Sequence, residues 1–368
     1  MPCDYLSLVH AGIKNLHPYE PGKPIEALQQ ELGLKKIIKL ASNENPLGAS
    51  PKAAHALRQL DVHDLALYPA ADLHPVYHHL VDKLNIAPQQ LILLNGSDAF
   101  FSLCLTTFAL NTNRIALTHQ YTFIAFPLQA QILGVKLKAV PVNQDYSVNI
   151  DSLIKALRPN VAIVYLANPN NPTGICIKEA KLKEFLRKLP LNTLCILDEA
   201  YYEFHAQTEN TLDWLKEFPN LIITRTFSKI YGLAGLRIGY AIANPEVAKL
   251  LKRAELPFTV NKAALTAAEA ALTDQDFLHK SLANTKSGMQ QLEQGFQALK
   301  LSYIPSQANF ITLKSPFAGI KLYEKLLKRG IIVRPLDPYG LKEHVRITIG
   351  TPEQNQHLLN VLKGEIND

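Results

Sequence analysis

The sequence predicts an α/β protein: a large domain with a mostly parallel, mixed central sheet flanked by helices, and a smaller α/β domain. Short β-rich runs alternate with helical patterns from about residue 90 to residue 240. The 368 residues are 47% hydrophobic and 19% charged, without low-complexity tracts, which is typical of a globular protein. A chain of this length favours two domains.

Four runs of the alternating region favour buried strands, and three patterns among them favour helices. The strand runs are RIALTHQ (114–120), VAIVYLAN (161–168), TLCILDEAY (193–201) and LIITRTFS (221–228). The helical patterns are DAFFSLCLTTFAL (98–110), DSLIKAL (151–157) and KEAKLKEFLRKL (178–189). Strands separated by helices form βαβ units, which predicts a parallel arrangement for most of the sheet.

Helix starts and a change of pattern divide the chain further. Ser50 before Pro51 predicts an N-cap with proline at the first helical position, and Asp151 predicts another N-cap. After Pro245 the sequence is strongly helical, and then strands and helices alternate again. We expect an N-terminal arm at 1–40 that contributes to the small domain, a large domain at 41–270 and a small domain at 271–368.

Charge and cysteine usage limit the classes of partner. The net charge is +6 and the basic residues are scattered, so we expect small anionic ligands and no nucleic-acid partner. The N-terminus lacks a basic region leading into an apolar core, and no apolar stretch would cross a bilayer, so we expect a cytoplasmic protein without membrane contact. Cys3, Cys104, Cys176 and Cys195 lack C-x-x-C spacing; we expect free thiols, the last three buried.

Other catalytic motifs are incomplete. His74 and His78 have helical spacing, but without the Glu of H-E-x-x-H or a third ligand they predict no metal site. SLIK (152–155) has the S-x-x-K form of an acyl-enzyme without K-T-G or S-D-N, and no G-x-G-x-x-G follows a strand. These absences disfavour a metalloprotease, an acyl-enzyme and a nicotinamide dehydrogenase.

Polar stretches follow five predicted strands in order. They are NGSDAF (95–100), THQY (118–121), NPNNPTG (168–174), DEAY (198–201) and TFSK (226–229). Ligands of open α/β sheets bind outside the carboxyl ends of the strands, so we expect these stretches to converge on one crevice.

The residues of NGSDAF and NPNNPTG each have two interpretations. Gly96, Ser97 and Asp98 open a helix, whose N-terminus presents N–H groups to an anion such as phosphate; the alternative is a plain N-cap. Asn171 lies in a proline-flanked turn after a buried strand, and it is either a ligand contact or only part of the turn.

The residues of DEAY and TFSK, together with Arg237, point to a specific cofactor. Asp198 ends a buried strand and should face a cation or a protonated ring nitrogen, with a structural salt bridge as the alternative. A partly desolvated Lys229 is a nucleophile able to form a Schiff base with an aldehyde, Arg237 suits a phosphate, and Tyr201 offers a hydroxyl. Together these groups describe pyridoxal 5'-phosphate (PLP), with Lys229 and Asp198 catalytic and transamination as the reaction.

At this point the chain resembles the fold-type-I aminotransferases, and among them the histidinol-phosphate aminotransferase family. The matching stretches, besides those above, are PYEPGKP (18–24), ASNENPLG (41–48), LYP (67–69), RTFSKIYGLAGLRIGY (225–240), GIIVRPL (330–336) and VRITIG (345–350). The chain departs from the family pattern at Ala99, where an acidic residue is frequent, and at Leu67, where an Arg is common.

The resemblance implies roles for the cofactor contacts. Lys229 would bind PLP covalently in the large domain, and Asp198 would pair with the pyridine nitrogen. Tyr68 would reach the phosphate bound by the neighbouring subunit, which implies a homodimer with shared active sites. The other implied contacts are Asn171 and Tyr201 at the ring's 3-oxygen, Tyr121 on the ring face, and Gly96, Ser97, Asp98, Thr226, Ser228 and Arg237 at the phosphate.

The resemblance also implies the substrates, L-histidinol phosphate with 2-oxoglutarate and glutamate as the other pair. Arg346 would hold the α-carboxylate, Arg334 and Tyr19 the substrate phosphate, and Asn43 would be a further substrate contact. Strand alternation puts both arginines opposite an apolar face, although a structural ion pair would explain either one. An aromatic or dicarboxylate aminotransferase, a PLP-dependent amino-acid-phosphate decarboxylase and a non-enzymatic binding domain stay open as alternatives.

Overall fold

The computed structural model describes residues 3–18, 22–34, 36–205 and 209–367. Helices and strands alternate along most of this part of the chain, and the α-helices come first below. They are α1 (Tyr5–Leu8), α2 (Ala11–Lys14), α3 (Ile25–Leu32), α4 (Pro51–Arg58), α5 (Pro75–Leu84), α6 (Ala99–Phe108), α7 (Ala125–Ile132), α8 (Ile150–Ala156), α9 (Glu179–Lys188), α10 (Pro245–Ala254), α11 (Lys262–Leu272), α12 (Gln275–Ala298), α13 (Gly319–Lys328) and α14 (Pro352–Asn367).

The strands form three sheets. They are β1 (Ile38–Lys39), β2 (Leu91–Leu94), β3 (Ile115–His119), β4 (Leu137–Val140), β5 (Val161–Ala167), β6 (Leu194–Asp198), β7 (Leu221–Thr226), β8 (Gly239–Ala243), β9 (Tyr303–Ile304), β10 (Phe310–Lys314), β11 (Ile331–Ile332), β12 (Arg334–Pro335) and β13 (His344–Thr348).

The central sheet has seven strands in the order β2-β8-β7-β6-β5-β3-β4. Only β8 runs against the others, pairing antiparallel with β2 and β7, so the predicted mostly parallel, mixed sheet is confirmed. The register places Ala167 beside Asp198 and Asp198 beside Thr224. The carboxyl ends of β5, β6 and β7 therefore lie next to one another.

Each face of this sheet is covered by its own apolar layer. Along β5, Val164 and Leu166 belong to one layer, while Ile163 and Tyr165 belong to the other. Fully burying such a side chain stabilises a fold by about 1.5–3 kcal/mol. The alternation explains why β5 is an unbroken apolar run: both faces of a covered parallel sheet are buried.

The C-terminal strands build a smaller sheet with the order β12-β13-β10-β9, antiparallel throughout. Its apolar face, including Val345 and Ile347, packs with residues of α12 and α14. Strand β1 pairs in parallel with β11, and Ile38 joins the same core. The residue ranges expected for the arm and the two domains stay a prediction.

Of the two N-caps predicted from the sequence, one is confirmed and the other is wrong. Helix α4 begins at Pro51, and the Ser50 side chain accepts a hydrogen bond from the Ala53 N–H, as predicted. For α8 the predicted N-cap is wrong: Asn149 caps the helix by accepting from the Ser152 N–H, and Asp151 lies in the first turn. An acidic residue there still complements the helix dipole, which is why the two positions are hard to distinguish from sequence.

The cysteines are free thiols. Cys104 and Cys195 are buried and Cys3 is exposed, but Cys176 is only partly buried, so the expectation of full burial is wrong there. Its place in the loop between β5 and α9, rather than within an element, accounts for the difference. Among the described helices, none combines the length and the apolar character that crossing a membrane requires.

Candidate active site

A cavity opens at the carboxyl ends of the central strands and brings most of the predicted residues together. From outside the large sheet, Arg346 of β13 and Asn43 of the segment after β1 also reach it. The predicted residues in its wall are Asn43, Ser97, Asp98, Asn171, Asp198, Tyr201, Thr226, Ser228, Lys229, Arg237 and Arg346.

Asp198 is the last residue of β6 and is only 3% exposed. Tyr165 donates a hydrogen bond to its Oδ2 at 2.7 Å, and Thr224 donates to its Oδ1 at 3.0 Å. Burial raises the pKa of the Asp198 carboxyl to about 6, while these two hydrogen bonds act in the opposite direction. Both donors are neutral hydroxyls, so the structure does not support the alternative of a structural salt bridge.

Lys229 follows β7 and points its amine into the same cavity. Its Nζ donates to the Ser42 carbonyl at 3.1 Å and lies 6.0 Å from the centre of the Tyr201 ring. Loss of hydration, followed by the positive charge of Arg346, lowers the Lys229 pKa to about 8. The neutral amine that a nucleophile requires is therefore far more abundant near neutral pH than in an ordinary lysine, although it is still the minor form at pH 7.

A group of donors at one end of the cavity forms a candidate anion site. The Arg237 Nη2 donates to Asp98 Oδ1 at 2.7 Å, and its Nη1 lies 3.4 Å from Ser228 Oγ. The Thr226 hydroxyl donates to Ser228 Oγ at 3.0 Å. Asp98 occupies the N-cap position of α6 without capping it by a side-chain hydrogen bond, so the plain N-cap interpretation is wrong for Asp98.

Two glycines allow the backbone of this anion site to close. A Cβ on Gly96, whose φ is +79°, would lie 2.4 Å from Arg237 Nη2. A Cβ on Gly239 would lie 2.6 Å from the Ser97 nitrogen. Any side chain at either position would displace the donors, so the glycines maintain the cradle.

Tyr201 and two asparagines also line the cavity. Asn43 donates to the Tyr201 hydroxyl at 2.8 Å, and Asn171 donates to it at 3.4 Å. Asn43 is fully buried with φ of +55°, and its N–H is held by Thr348 Oγ1. A non-glycine residue in that region of φ is fixed there by its surroundings.

The two arginines predicted to bind the substrate lie side by side on the small sheet, and of the two Arg346 is in the cavity wall. Arg334 and Arg346 are direct partners across the β12–β13 pair, on the face opposite Val345 and Ile347. Arg346 donates to Asn171 Oδ1 and to the Ala41 carbonyl, each at 2.6 Å.

Two predicted tyrosines of the described residues, Tyr121 and Tyr68, are not in the cavity wall. Tyr121 has φ of +58°, and its ring contacts Tyr146, while Phe123 occupies the wall nearby. Tyr68 is 79% exposed and stacks on Phe258 at 4.4 Å. Tyr19 lies outside the described residues. The roles expected for these three stay predictions.

Several site residues were missed from the sequence. Ser42 contributes only its carbonyl, which every residue has, so no signal existed for it. Tyr165 and Thr224 stand behind Asp198, and a tyrosine within the apolar run VAIVYLAN was a usable signal, because a buried phenol hydroxyl needs a partner. Phe123 lies two positions beyond THQY and was overlooked as an ordinary apolar residue.

Two histidines at or near the start of α5 lie near a carboxylate of α11. His74 and His79 both lie near Glu269, at 3.8 Å and 3.7 Å. Across the described part of the chain, no group of three or more His, Cys, Asp or Glu side chains could hold a metal ion.

The donor set fits PLP. The anion cradle at Arg237, the buried carboxylate of Asp198 and the amine of Lys229 match the phosphate, the ring nitrogen and the aldehyde of that molecule. The hydroxyl of Tyr201 and the amide of Asn171 suit a phenolic oxygen.

Comparisons with known proteins agree with this assignment. Residues 35–362 match the family described as aminotransferase class I and II. Histidinol-phosphate aminotransferase 2 of Legionella pneumophila (strain Lens) is 49% identical over 365 residues, 99% of either chain. Histidinol-phosphate aminotransferase 1 of Nitrosococcus oceani is 44% identical over 361 residues, 98% of this chain and 97% of that protein. The crystal structure of the Sinorhizobium meliloti histidinol-phosphate aminotransferase with pyridoxal-5'-phosphate has a TM-score of 0.88 and 27% identity, covering 98% of each chain.

Proposed function

The chain belongs to the class I and II aminotransferases, and on that premise we propose that it transfers the amino group of L-histidinol phosphate to 2-oxoglutarate. It is a PLP-dependent aminotransferase. The observation that carries the proposal is the meeting of Lys229, Asp198 and Arg346 in one cavity, beside a cradle for a phosphate.

In this proposal the chain's own residues fix the cofactor at three points. Arg237, Ser228 and the N–H groups at the start of α6 bind its phosphate. The Asp198 carboxylate would hold the pyridine nitrogen, and Tyr201 would orient the ring through its 3-oxygen, since both side chains line the cavity. When bound, PLP withdraws electrons from the substrate Cα, which makes the Cα proton acidic.

Lys229 performs the proton transfer. Its Nζ would take the proton from the substrate Cα and deliver it to the carbon that carried the cofactor's aldehyde, which its pKa of about 8 allows near neutral pH. The Ser42 carbonyl holds the amine at the cavity wall beforehand.

Arg334 and Arg346 provide the substrate preference. Glutamate carries an α-carboxylate next to its amino-bearing carbon, whereas L-histidinol phosphate carries a phosphate on that side. A dianionic phosphate suits two adjacent guanidinium groups, and a single carboxylate needs one. We assign the α-carboxylate to Arg346 and the additional charge of the phosphate to Arg334, with Tyr19 beside it and Asn43 as a further contact.

The active unit in this proposal is a homodimer acting in the cytoplasm. Tyr68 is exposed within a surface that also exposes Leu65, Leu67, Leu256 and Phe258. Apolar side chains grouped in this way on a surface are typical of an interface. The partner's copy of the Tyr68 hydroxyl would complete the phosphate site.

The direct test is turnover with identified products. The purified protein with PLP, L-histidinol phosphate and 2-oxoglutarate should form glutamate and the phosphorylated ketone in equal amounts, without release of CO2. Phenylalanine and aspartate in place of histidinol phosphate should react with a much lower kcat/KM. CO2 release without any need for 2-oxoglutarate would instead identify a decarboxylase.

A further inference from the structure

The phenol ring of Tyr165 is buried and closely packed by other aromatic rings. The residue is fully buried on β5, where its ring stacks on Phe126 at 4.5 Å and meets Phe101 edge-on at 4.9 Å. The surrounding layer is apolar and includes Ile163 and Ile196. Phenylalanine would fill the same space, so packing alone does not account for the hydroxyl.

Within the described residues, the hydrogen-bond partner of that hydroxyl is Asp198. It donates to Asp198 Oδ2 at 2.7 Å, while Thr224 donates to Oδ1 at 3.0 Å from the neighbouring strand. Each carboxylate oxygen is therefore held from behind by a hydroxyl, and the carboxylate faces the cavity that it lines. Hydrogen bonds to a carboxylate favour its charged form.

We propose that Tyr165 is a positioning residue of the reaction: its hydroxyl keeps the Asp198 carboxylate charged and turned toward the pyridine nitrogen. The inference rests on the role proposed above for Asp198. Tyr165 does not touch the substrate and acts only through Asp198.

The physical need for such a donor follows from burial. Desolvation raises the pKa of Asp198 to about 6, and the Tyr165 hydrogen bond is the first of the effects that oppose this rise. Without that bond the carboxyl takes up its proton at a higher pH. A neutral carboxylic acid no longer supplies the charge that keeps the ring nitrogen protonated.

The test uses Tyr165→Phe in the full chain, with PLP binding to the apoprotein measured across a pH series. A hydrogen bond to a charged group is worth roughly a factor of ten or more in an equilibrium constant, so PLP affinity should fall by about that factor. The loss should grow as the pH is lowered, because the variant carboxyl is protonated at higher pH than in the wild type. Wild-type affinity with a wild-type pH profile would overturn the proposal.

A matched control and a double variant separate this role from packing. Tyr77→Phe removes another buried tyrosine hydroxyl, bonded to backbone carbonyls, and should leave PLP affinity and its pH profile unchanged. In an Asp198→Asn background, Tyr165→Phe should cause no further loss, whereas a structural role gives the same loss in both backgrounds.

Failure of this inference and failure of the proposed function would give different experimental results. If the wild-type protein does not bind PLP, the proposed function fails; if it binds and Tyr165→Phe binds alike, only this inference fails. If Tyr165→Phe does not fold, Thr224→Val removes the donor to Oδ1 and should shift the pH profile in the same direction. If the pH profile of PLP affinity is not shifted in that variant, the proposal that these hydroxyls keep Asp198 charged is overturned.

Discussion

Arg334 and Arg346 are direct partners across two antiparallel strands, and they are only 7% and 5% exposed. Like charges placed opposite one another on one face of a sheet destabilise it. Arg346 makes its described hydrogen bonds to an amide and a carbonyl, and its Nε is buried without a partner within the described residues. Arg346 lines the cavity, and its buried charge there is best explained by an anionic ligand.

The two arginines should separate the two substrates. Arg346→Gln should raise KM for both glutamate and L-histidinol phosphate by roughly tenfold or more, since each loses a charge-assisted hydrogen bond. Arg334→Gln should raise KM for L-histidinol phosphate far more than for glutamate. Lys314→Gln, which removes an exposed cation from the same sheet, is the control and should change neither KM. Equal effects of Arg334→Gln on both substrates would contradict the assignment.

Lys229→Ala should abolish covalent attachment of PLP and lower kcat by about a hundredfold or more, the contribution of a positioned acid and base. Borohydride reduction followed by peptide mass measurement should find the PLP-derived mass on the wild-type peptide that contains Lys229. Lys83→Ala, which removes an exposed lysine outside the cavity wall, should retain the attachment. A PLP-derived mass on a different lysine would contradict the account.

Reconstitution of the apoprotein should depend on pH through the Lys229 amine. The folded pKa is lowered from 10.5 to about 8, so the reactive neutral amine forms as the pH rises through about 8. The rate of PLP incorporation should increase across that range. In Arg346→Gln the loss of a nearby positive charge raises the Lys229 pKa, so the midpoint should move to higher pH. A midpoint that stays near 10.5 in the wild type would show that the amine is not desolvated.

Tyr68 should act across a subunit boundary. Tyr68→Ala keeps its own Lys229, whereas Lys229→Ala keeps its own Tyr68, and each variant alone should be nearly inactive. Mixing the two under conditions that exchange subunits should restore activity, because one site of the mixed dimer then has both groups. Sedimentation should show a dimer throughout. Failure of a verified mixed dimer to recover activity would place Tyr68 outside the partner's site.

The ion pair of Glu199 and Arg225 should be a stability determinant beneath the site. Both side chains are almost fully buried, at 0% and 4% exposure, and lie 2.8 Å apart. Arg225→Met leaves a buried carboxylate uncompensated, which costs about 3–5 kcal/mol of unfolding free energy. Adding Glu199→Leu should recover part of that loss in urea unfolding. Lys216→Met, which breaks an exposed pair, should have no measurable effect, and an equal effect of the two single variants would contradict this account.

The central parallel strands could be predicted from the sequence, because strands of a parallel sheet that is covered on both faces are continuous apolar runs. Strands β3, β5, β6 and β7 lie within the four predicted runs, one in each. Strand β4 is half exposed and β8 is built around glycine and alanine, so neither has that signal. The reversed direction of β8 results from long-range pairing with β2 and β7, which no local pattern specifies.

In the site, the residues at the ends of strands could be predicted from the sequence, whereas the contacts that hold them in place could not. Asp198 and Lys229 follow strands, so the rule for open α/β sheets brings them together. Ser42 reaches Lys229 through a backbone carbonyl, and Asn43 is held by Thr348, 305 positions away in the chain. Such contacts depend on the packing of the small sheet against the large one, and the local sequence does not encode them.

The most direct test of the central claim is a half-reaction without any oxo acid. The PLP-loaded protein is mixed with L-histidinol phosphate, and absorbance follows the bound cofactor. We predict full conversion to the pyridoxamine form, slow or incomplete conversion with phenylalanine or aspartate, and no conversion in Lys229→Ala. Conversion by aspartate or phenylalanine while L-histidinol phosphate leaves the spectrum unchanged would contradict the substrate assignment.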